Sequence, residues 1–347
     1  MDAQWYPKRY ARICREFTGE PYQYLRGLSA DARPGLLPDA DEDQAIVEAQ
    51  VMEHLGGGSQ WWAHPLGFAS LRISTAFGIV INLDHFTVLS NDRFYDMARF
   101  ALDRLLPYAE VGLQVNGAIG LRVDRVAGRD LVLRSVVGTG RVILRGVAGT
   151  NWSQLLKERW EDFASDPAFV PLWGEPVLTA HEQDHIDQYA LTWRADQRLA
   201  WIGSALLRRV RLFETHSLAY STRSWITGDE WIFELDTAND VTLKHDLLLD
   251  RLTEKPWGLA VEISSSSHCD CASAAEQRRR PHCTFYLGND QGLEGTIQLR
   301  FRSVSVSSAD RQDERQTLVR VGADARWLDR VLPESAGRSR RQNGGGR

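Results

Sequence analysis

The segment Thr179-Ala-His181-Glu182-Gln-Asp-His185 carries two histidines four residues apart, with a glutamate directly after the first. On a helix, His181 and His185 lie one above the other on the same face, so both imidazoles can reach one ion. Glu182 would then take a proton from metal-bound water without itself binding the metal, which is the chemistry of metal-assisted hydrolysis. A third ligand is needed. The stretch Leu199 to Tyr220 reads as a long helix with Leu199, Ile202, Leu206, Val210 and Phe213 on one stripe. Glu214, close to that stripe, is expected to turn inward and complete a His-His-Glu set, leaving the fourth tetrahedral position to water. His216 and Tyr220 follow closely and are the candidates for steadying the oxyanion formed when water attacks a carbonyl.

His181-Glu182-x-x-His185 followed by Glu214-Thr-His-Ser-Leu-Ala-Tyr220 resembles the zincin metallopeptidases, in particular the gluzincin-like branch, in which a glutamate from a following helix is the third ligand. The resemblance implies zinc on His181, His185 and Glu214, Glu182 as general base, and a peptide or protein substrate. The extension through Gln188 and Tyr189 is similar to small bacterial proteins with a glutamine and an aromatic just after the second histidine. Position 191 is leucine and position 188 is not glycine, so the metzincin pattern is absent. The resemblance covers about residues 150 to 225.

The same residues admit a second account. Thr179-x-x-Glu182 is a capping box, with Thr179 as N-cap and Glu182 at the third helical position, which explains the glutamate without catalysis. In that case the chain is a non-enzymatic structural or protein-interaction protein, with or without a structural metal. Three of the four cysteines lie in His268-Cys269-Asp-Cys271 and His282-Cys283. Thiolates and imidazoles so clustered can close a structural zinc site. Cys269-x-Cys271 is, however, shorter than the usual gap, and the expectation is a mobile Ser-rich loop, Ser264 to Ser267, carrying reduced cysteines. The triplet Arg278-Arg279-Arg280 reads as solvated surface.

The elements that position these residues follow from periodicity. A helix is expected from Asp43 to Leu55, ended by Gly56-Gly57-Gly58, and strands over Ala69 to Ile81 and Phe86 to Leu89. Ser90 or Asp92 then caps a helix through Phe94, Met97, Ala101, Leu102 and Leu105. From Val111 to Val147 the apolar residues alternate, with glycines 128, 138 and 140 at the turns, which predicts an antiparallel meander. A helix with an apolar face of Trp152, Leu155, Leu156, Trp160 and Phe163 follows, stopped at Pro167. Further strands are expected at Trp231 to Leu235, Val241 to Leu243, Leu259 to Ile263, Cys283 to Leu287 and Thr296 to Phe301.

The fold class expected is therefore α+β, with strand-rich flanks, residues 1–150 and 226–334, around a central helical segment, 151–225, and a disordered basic tail, 335–347. The flanks can join in one mixed sheet or form two layers. A chain of 347 residues holds a sizeable core. Twelve tryptophans supply core and pocket wall, and Trp61-Trp62 before His64-Pro65 can be a partly exposed ledge. The net charge of -5 gives no reason to expect nucleic acid or an anionic membrane as partner. Without a signal-like or membrane-spanning apolar run, a cytoplasmic protein is the expectation.

Overall fold

A computed structural model describes residues 5–27, 37–57, 60–61, 65–74, 78–89, 94–110, 112, 114–238, 245–255, 257–276, 281–289, 293–320 and 322–334. The chain opens with helices α1 (Trp5–Thr18), α2 (Tyr22–Gly27) and α3 (Glu42–Gly56). Helix α3 starts where Asp41 accepts the Gln44 amide and Glu42 and Asp43 complement the helix dipole. There follow β1 (Gln60–Trp61), β2 (Phe68–Ser74), β3 (Gly78–Leu83), β4 (Phe86–Leu89), β5 (Phe94–Asp96) and α4 (Met97–Leu105). Strands β6 (Tyr108–Glu110), β7 (Val115–Asn116), β8 (Leu121–Ala127), β9 (Asp130–Ser135) and β10 (Arg141–Arg145) lead to α5 (Trp152–Ala164) and β11 (Phe169–Pro171).

The middle of the chain holds α6 (Ala180–Gln188), α7 (Ala190–Arg198), α8 (Ala200–Leu207) and α9 (Arg211–His216), then the hairpin β12 (Ser221–Thr227) and β13 (Glu230–Ala238). Helix α10 (His245–Thr253), β14 (Val261–Ile263), β15 (His268–Cys269), α11 (Cys271–Glu276), β16 (His282–Asn289) and β17 (Thr296–Val304) precede the closing helices α12 (Ser308–Arg320) and α13 (Ala325–Val331).

The fold is mixed α+β, with several sheets and helices interspersed throughout the described residues, which corrects the picture of strand-rich flanks around a distinct central helical segment. Helices α1 to α4 lie in the first 150 residues, and the 151–225 stretch contributes β11 and most of β12. A nine-stranded sheet runs β14-β16-β17-β13-β12-β1-β4-β5, with β15 also paired to β16. It joins strands from both ends of the sequence. The meander predicted from alternation appears as β8, β9 and β10, which with β2 and β3 make a separate five-stranded sheet, β2-β3-β10-β9-β8. Two pairings, β3 with β10 and β13 with β17, are parallel and depend on chain crossovers.

The helix expected from Ser90 or Asp92 begins later. Residues 94–96 are strand β5, and Asp96 is the N-cap, accepting the Arg99 amide. Pairing of 94–96 with β4 takes these residues out of helical conformation. The Val241–Leu243 strand, Trp62 and His64, the arginine triplet and the basic tail lie outside the described residues.

One continuous apolar core extends from Tyr10 to Phe301 and is filled by Trp152, Phe213, Trp231 and Phe301. At its centre α3 packs on α8. Gly203 permits that approach: a Cβ there would stand 2.4 Å from the Trp231 ring and 2.8 Å from the Ala49 Cα. Gly203→Ala is therefore expected to cost about 1–3 kcal/mol of stability by overpacking, read as a lower urea midpoint at unchanged m. Beside it, the buried Glu48 carboxylate takes the Arg208 guanidinium at 2.7 Å on both oxygens, with Ser204 and Gln44 adding bonds. Arg209 spends its donors on the carbonyls of Trp257, Ala205 and Gly258. These commitments coincide with a tight turn, Arg209 N to Leu206 O and Val210 N to Leu207 O, that divides the expected Leu199–Tyr220 helix into α8 and α9. Leu218, at φ 56°, ends helical geometry before Tyr220.

Candidate metal centre

Among the described residues, the side chains placed to share one metal ion are His245, Cys269, Cys271 and Cys283, whose ligand atoms all lie within 4.8 Å of one another. His245 opens α10 and is buried against the rings of Phe285 and Phe301, at 4.8 and 5.7 Å. Cys269 ends β15 and faces Cys283 directly across the β15–β16 ladder. Cys271 starts α11 two residues later. The reversal between them is held by Asp270, whose carboxylate accepts the His282 amide at 2.7 Å and whose carbonyl accepts the Ala274 amide at 2.8 Å. A strand-to-helix corner thus brings both thiols of a Cys-x-Cys pair to one point, whereas a helical spacing would splay them around the helix and an extended one would hold them apart along one face.

The separations are near those of a tetrahedral donor set, with the two sulfur pairs closer together than a bound zinc would hold them. Sulfur–sulfur distances are 3.3 Å for Cys271–Cys283 and 3.4 Å for Cys269–Cys283. His245 Nε2 lies 3.2 and 3.6 Å from the sulfurs of Cys269 and Cys271. Zinc bonds of about 2.3 Å to sulfur and 2.0 Å to nitrogen give tetrahedral edges of about 3.8 and 3.5 Å. A disulfide would need about 2.05 Å. All three cysteines are free thiols, so the arrangement is no cross-link and is capable of coordinating a metal ion.

Burial raises the pKa of Cys271 and of Cys283; Cys271 and Cys269 push Cys283 further up, while at Cys271 the hydrogen bond with Cys283 lowers it and Cys269 raises it. Charging all three sulfurs without a cation between them is therefore costly. Asp246 Oδ1 lies 2.6 Å from His245 Nδ1, at an angle too poor for a hydrogen bond. A carboxylate beside Nδ1 still favours the tautomer with its proton there, leaving the Nε2 lone pair toward the thiols.

The expectation of a mobile Ser-rich loop is overturned. The Ser264 amide donates to Tyr286 O at 2.8 Å, and Ser267 Oγ accepts the Tyr286 amide at 3.0 Å, so the loop is laced to β16. The sequence pattern pointed to the three cysteines but paired them with His268 and His282, both exposed. The imidazole that joins them begins an apolar helix 24 residues before Cys269. Its one sequence signal is a histidine leading the run Leu247-Leu-Leu249.

The gluzincin reading of the HExxH segment is corrected by the same geometry. His181 is exposed, and His185 is half-buried with its Nδ1 accepting the Val115 amide at 3.2 Å. Glu214 pairs with Arg211, His216 Nε2 lies 2.6 Å from Glu16, and Tyr220 packs with Leu318, Trp327 and Val331 in a separate apolar cluster. Among the described residues, His181, His185 and Glu214 form no metal-ligating group.

Glu182 is fully buried and saturated. Its carboxylate accepts from Arg122 at 2.5 and 2.9 Å, from the Gly120 amide at 2.8 Å, and from the Thr179 amide and hydroxyl at 2.9 and 3.0 Å. The capping box is complete. Burial alone would raise the Glu182 pKa, but the bonds from Arg122, Thr179 and Gly120 outweigh it and hold the group ionised below its ordinary range. Such a carboxylate has no lone pair free to take a proton from water.

No protein-family model, no curated protein and no solved structure matches this chain. Function must be read from the site alone.

Proposed function

We propose that the chain is a structural or interaction protein whose carboxy-terminal half is organised by one metal ion, zinc by the chemistry of the donors, on His245, Cys269, Cys271 and Cys283. The observation that carries this reading is the closed set of four soft and borderline donors converging from α10, β15, α11 and β16. Three sulfurs and one imidazole fill a tetrahedron and leave no position for substrate or water, as in structural and unlike hydrolytic zinc sites. The ion would tie α10 and the β15–α11 corner to the edge of the large sheet, where β15 supplies only two residues of pairing. No described helix is long and apolar enough to cross a membrane.

Elemental analysis of the purified protein is expected to give about one zinc per chain. Cobalt substitution should produce sulfur-to-metal charge transfer and the strong visible bands of a tetrahedral ion. Protein that folds with no bound metal, and shows no cobalt–sulfur band on titration, contradicts the reading; iron in place of zinc would keep the site and change the assigned ion.

A further inference from the structure

A second site lies far from the cysteines in sequence. A cavity of about 390 Å³ opens between α3 and α7, with further walls from α4, the β6–β7 segment and α6. That volume is in the range of small-molecule sites. Its lining is mixed: the aromatic residues Tyr108, Tyr189 and Trp193 stand beside the amide-bearing Gln50, Gln114 and Asn116. Helix α7 has no buried residue of its own, so this wall is held by few core contacts.

The charges in the lining are uneven. Glu53 and His54 come from α3, Asp103 and Arg104 from α4, Tyr108 from β6, His185 and Tyr189 from the α6 end, and Asp196 from α7. Asp103 is matched by Arg159 at 3.2 Å. Among the described residues no cation pairs with Glu53 or Asp196. We propose that this cavity binds a small organic cation, a primary ammonium or a guanidinium, seated between Glu53 and Asp196 with its body against Trp193 and Tyr189.

The electrostatics agree. Burial, then repulsion from Asp196, pushes Glu53 up to about 7, and burial pushes Asp196 up to about 6. Burial, then Arg104, lowers His54 to about 4, and burial lowers His185, so both imidazoles are neutral at pH 7 and do not compete for the carboxylates. A cation entering between the two carboxylates removes their mutual repulsion, and aromatic walls add cation–π attraction. An anion would meet both carboxylates, with Arg104 alone to favour it.

The probes are agmatine and cadaverine, with 1,5-pentanediol and glutarate as neutral and anionic counterparts, titrated calorimetrically into the full chain. Both cations are expected to bind, and the counterparts are not. Because a bound cation lowers the pKa of Glu53, binding should release protons near pH 6.5, visible as a dependence of the heat on buffer ionisation enthalpy, and should tighten from pH 6 to pH 8. Glu53→Gln and Asp196→Asn are each expected to weaken agmatine by about tenfold or more, whereas Asp187→Asn, on the exposed side of α6, leaves it unchanged.

In the wild type, agmatine should also slow hydrogen exchange over residues 189–198. Absence of binding at about 10 mM (a Kd that weak is under 3 kcal/mol), equal binding of pentanediol, or unchanged affinity in both carboxamide variants overturns the proposal. Zinc content is expected to be the same throughout, which separates failure here from failure of the metal site.

Discussion

Cys283→Ser is expected to abolish stoichiometric zinc and to lower the melting temperature sharply, with the loss concentrated in the carboxy-terminal half. Structural zinc in small sites contributes about 10–16 kcal/mol of apparent binding energy at neutral pH. A fold with its own apolar core retains part of its structure without the ion, so local opening is the expected form of the damage. The affected segment is 259–289: β14 and β15 hang on β16, and α11 contributes one buried side chain, Ala274, among those described. Hydrogen exchange there should rise in the variant and in wild type treated with a zinc chelator, while β12 and β13, inside the large core, keep their protection. Cys14→Ala is the control. Cys14 is a buried lone thiol whose pKa burial raises to about 11, and it lies outside the donor set. Equal zinc content and equal melting for Cys283→Ser and wild type would remove the metal centre.

Arg122→Met is expected to cost about 3–5 kcal/mol, because it leaves the fully buried Glu182 carboxylate without its counter-charge. Arg122 is 1% exposed, and besides Glu182 it donates to the carbonyls of Leu121, Glu175 and Val177. It therefore clasps the start of α6 onto β8. Glu182→Gln is expected to destabilise for the same reason, with zinc content unchanged. His181→Ala, an exposed change, should fall within about 0.5 kcal/mol of wild type.

The sign of the pH dependence follows from the lowered Glu182 pKa. Its stabilising contribution is present above the unfolded value, near 4.5, and is lost as pH falls through the lower folded value. Wild type should thus lose stability on acidification below about pH 4.5 more steeply than Glu182→Gln. A Glu182→Gln variant as stable as wild type, or one that loses zinc, would contradict this assignment.

The sequence by itself determined the local elements. Alternation placed β8, β9 and β10, and helical spacing with an acidic start placed α3 at Glu42–Gly56 against the expected Asp43 to Leu55. The capping box at Thr179 was also legible, since its two bonds join residues three apart. These features are decided within one or two turns of chain, where steric preference and hydrogen-bond reach act without help from distant residues.

What HExxH meant was not local. The same Thr179-to-His185 pattern suits a metal helix or a capped helix, and the arginine that fills the site stands 60 residues away on β8. The metal centre shows the converse. Three cysteines were visible, but His245 joins them through a sheet edge built by β16 and β17, and the Asp270 corner that aims Cys269 and Cys271 at one point depends on the amide of His282. The parallel pairings of β3 with β10 and β13 with β17 belong to the same class. Tertiary structure decides such matters because a carboxylate, thiol or imidazole acquires its role from the charges and donors packed around it, and packing brings those from any distance along the chain.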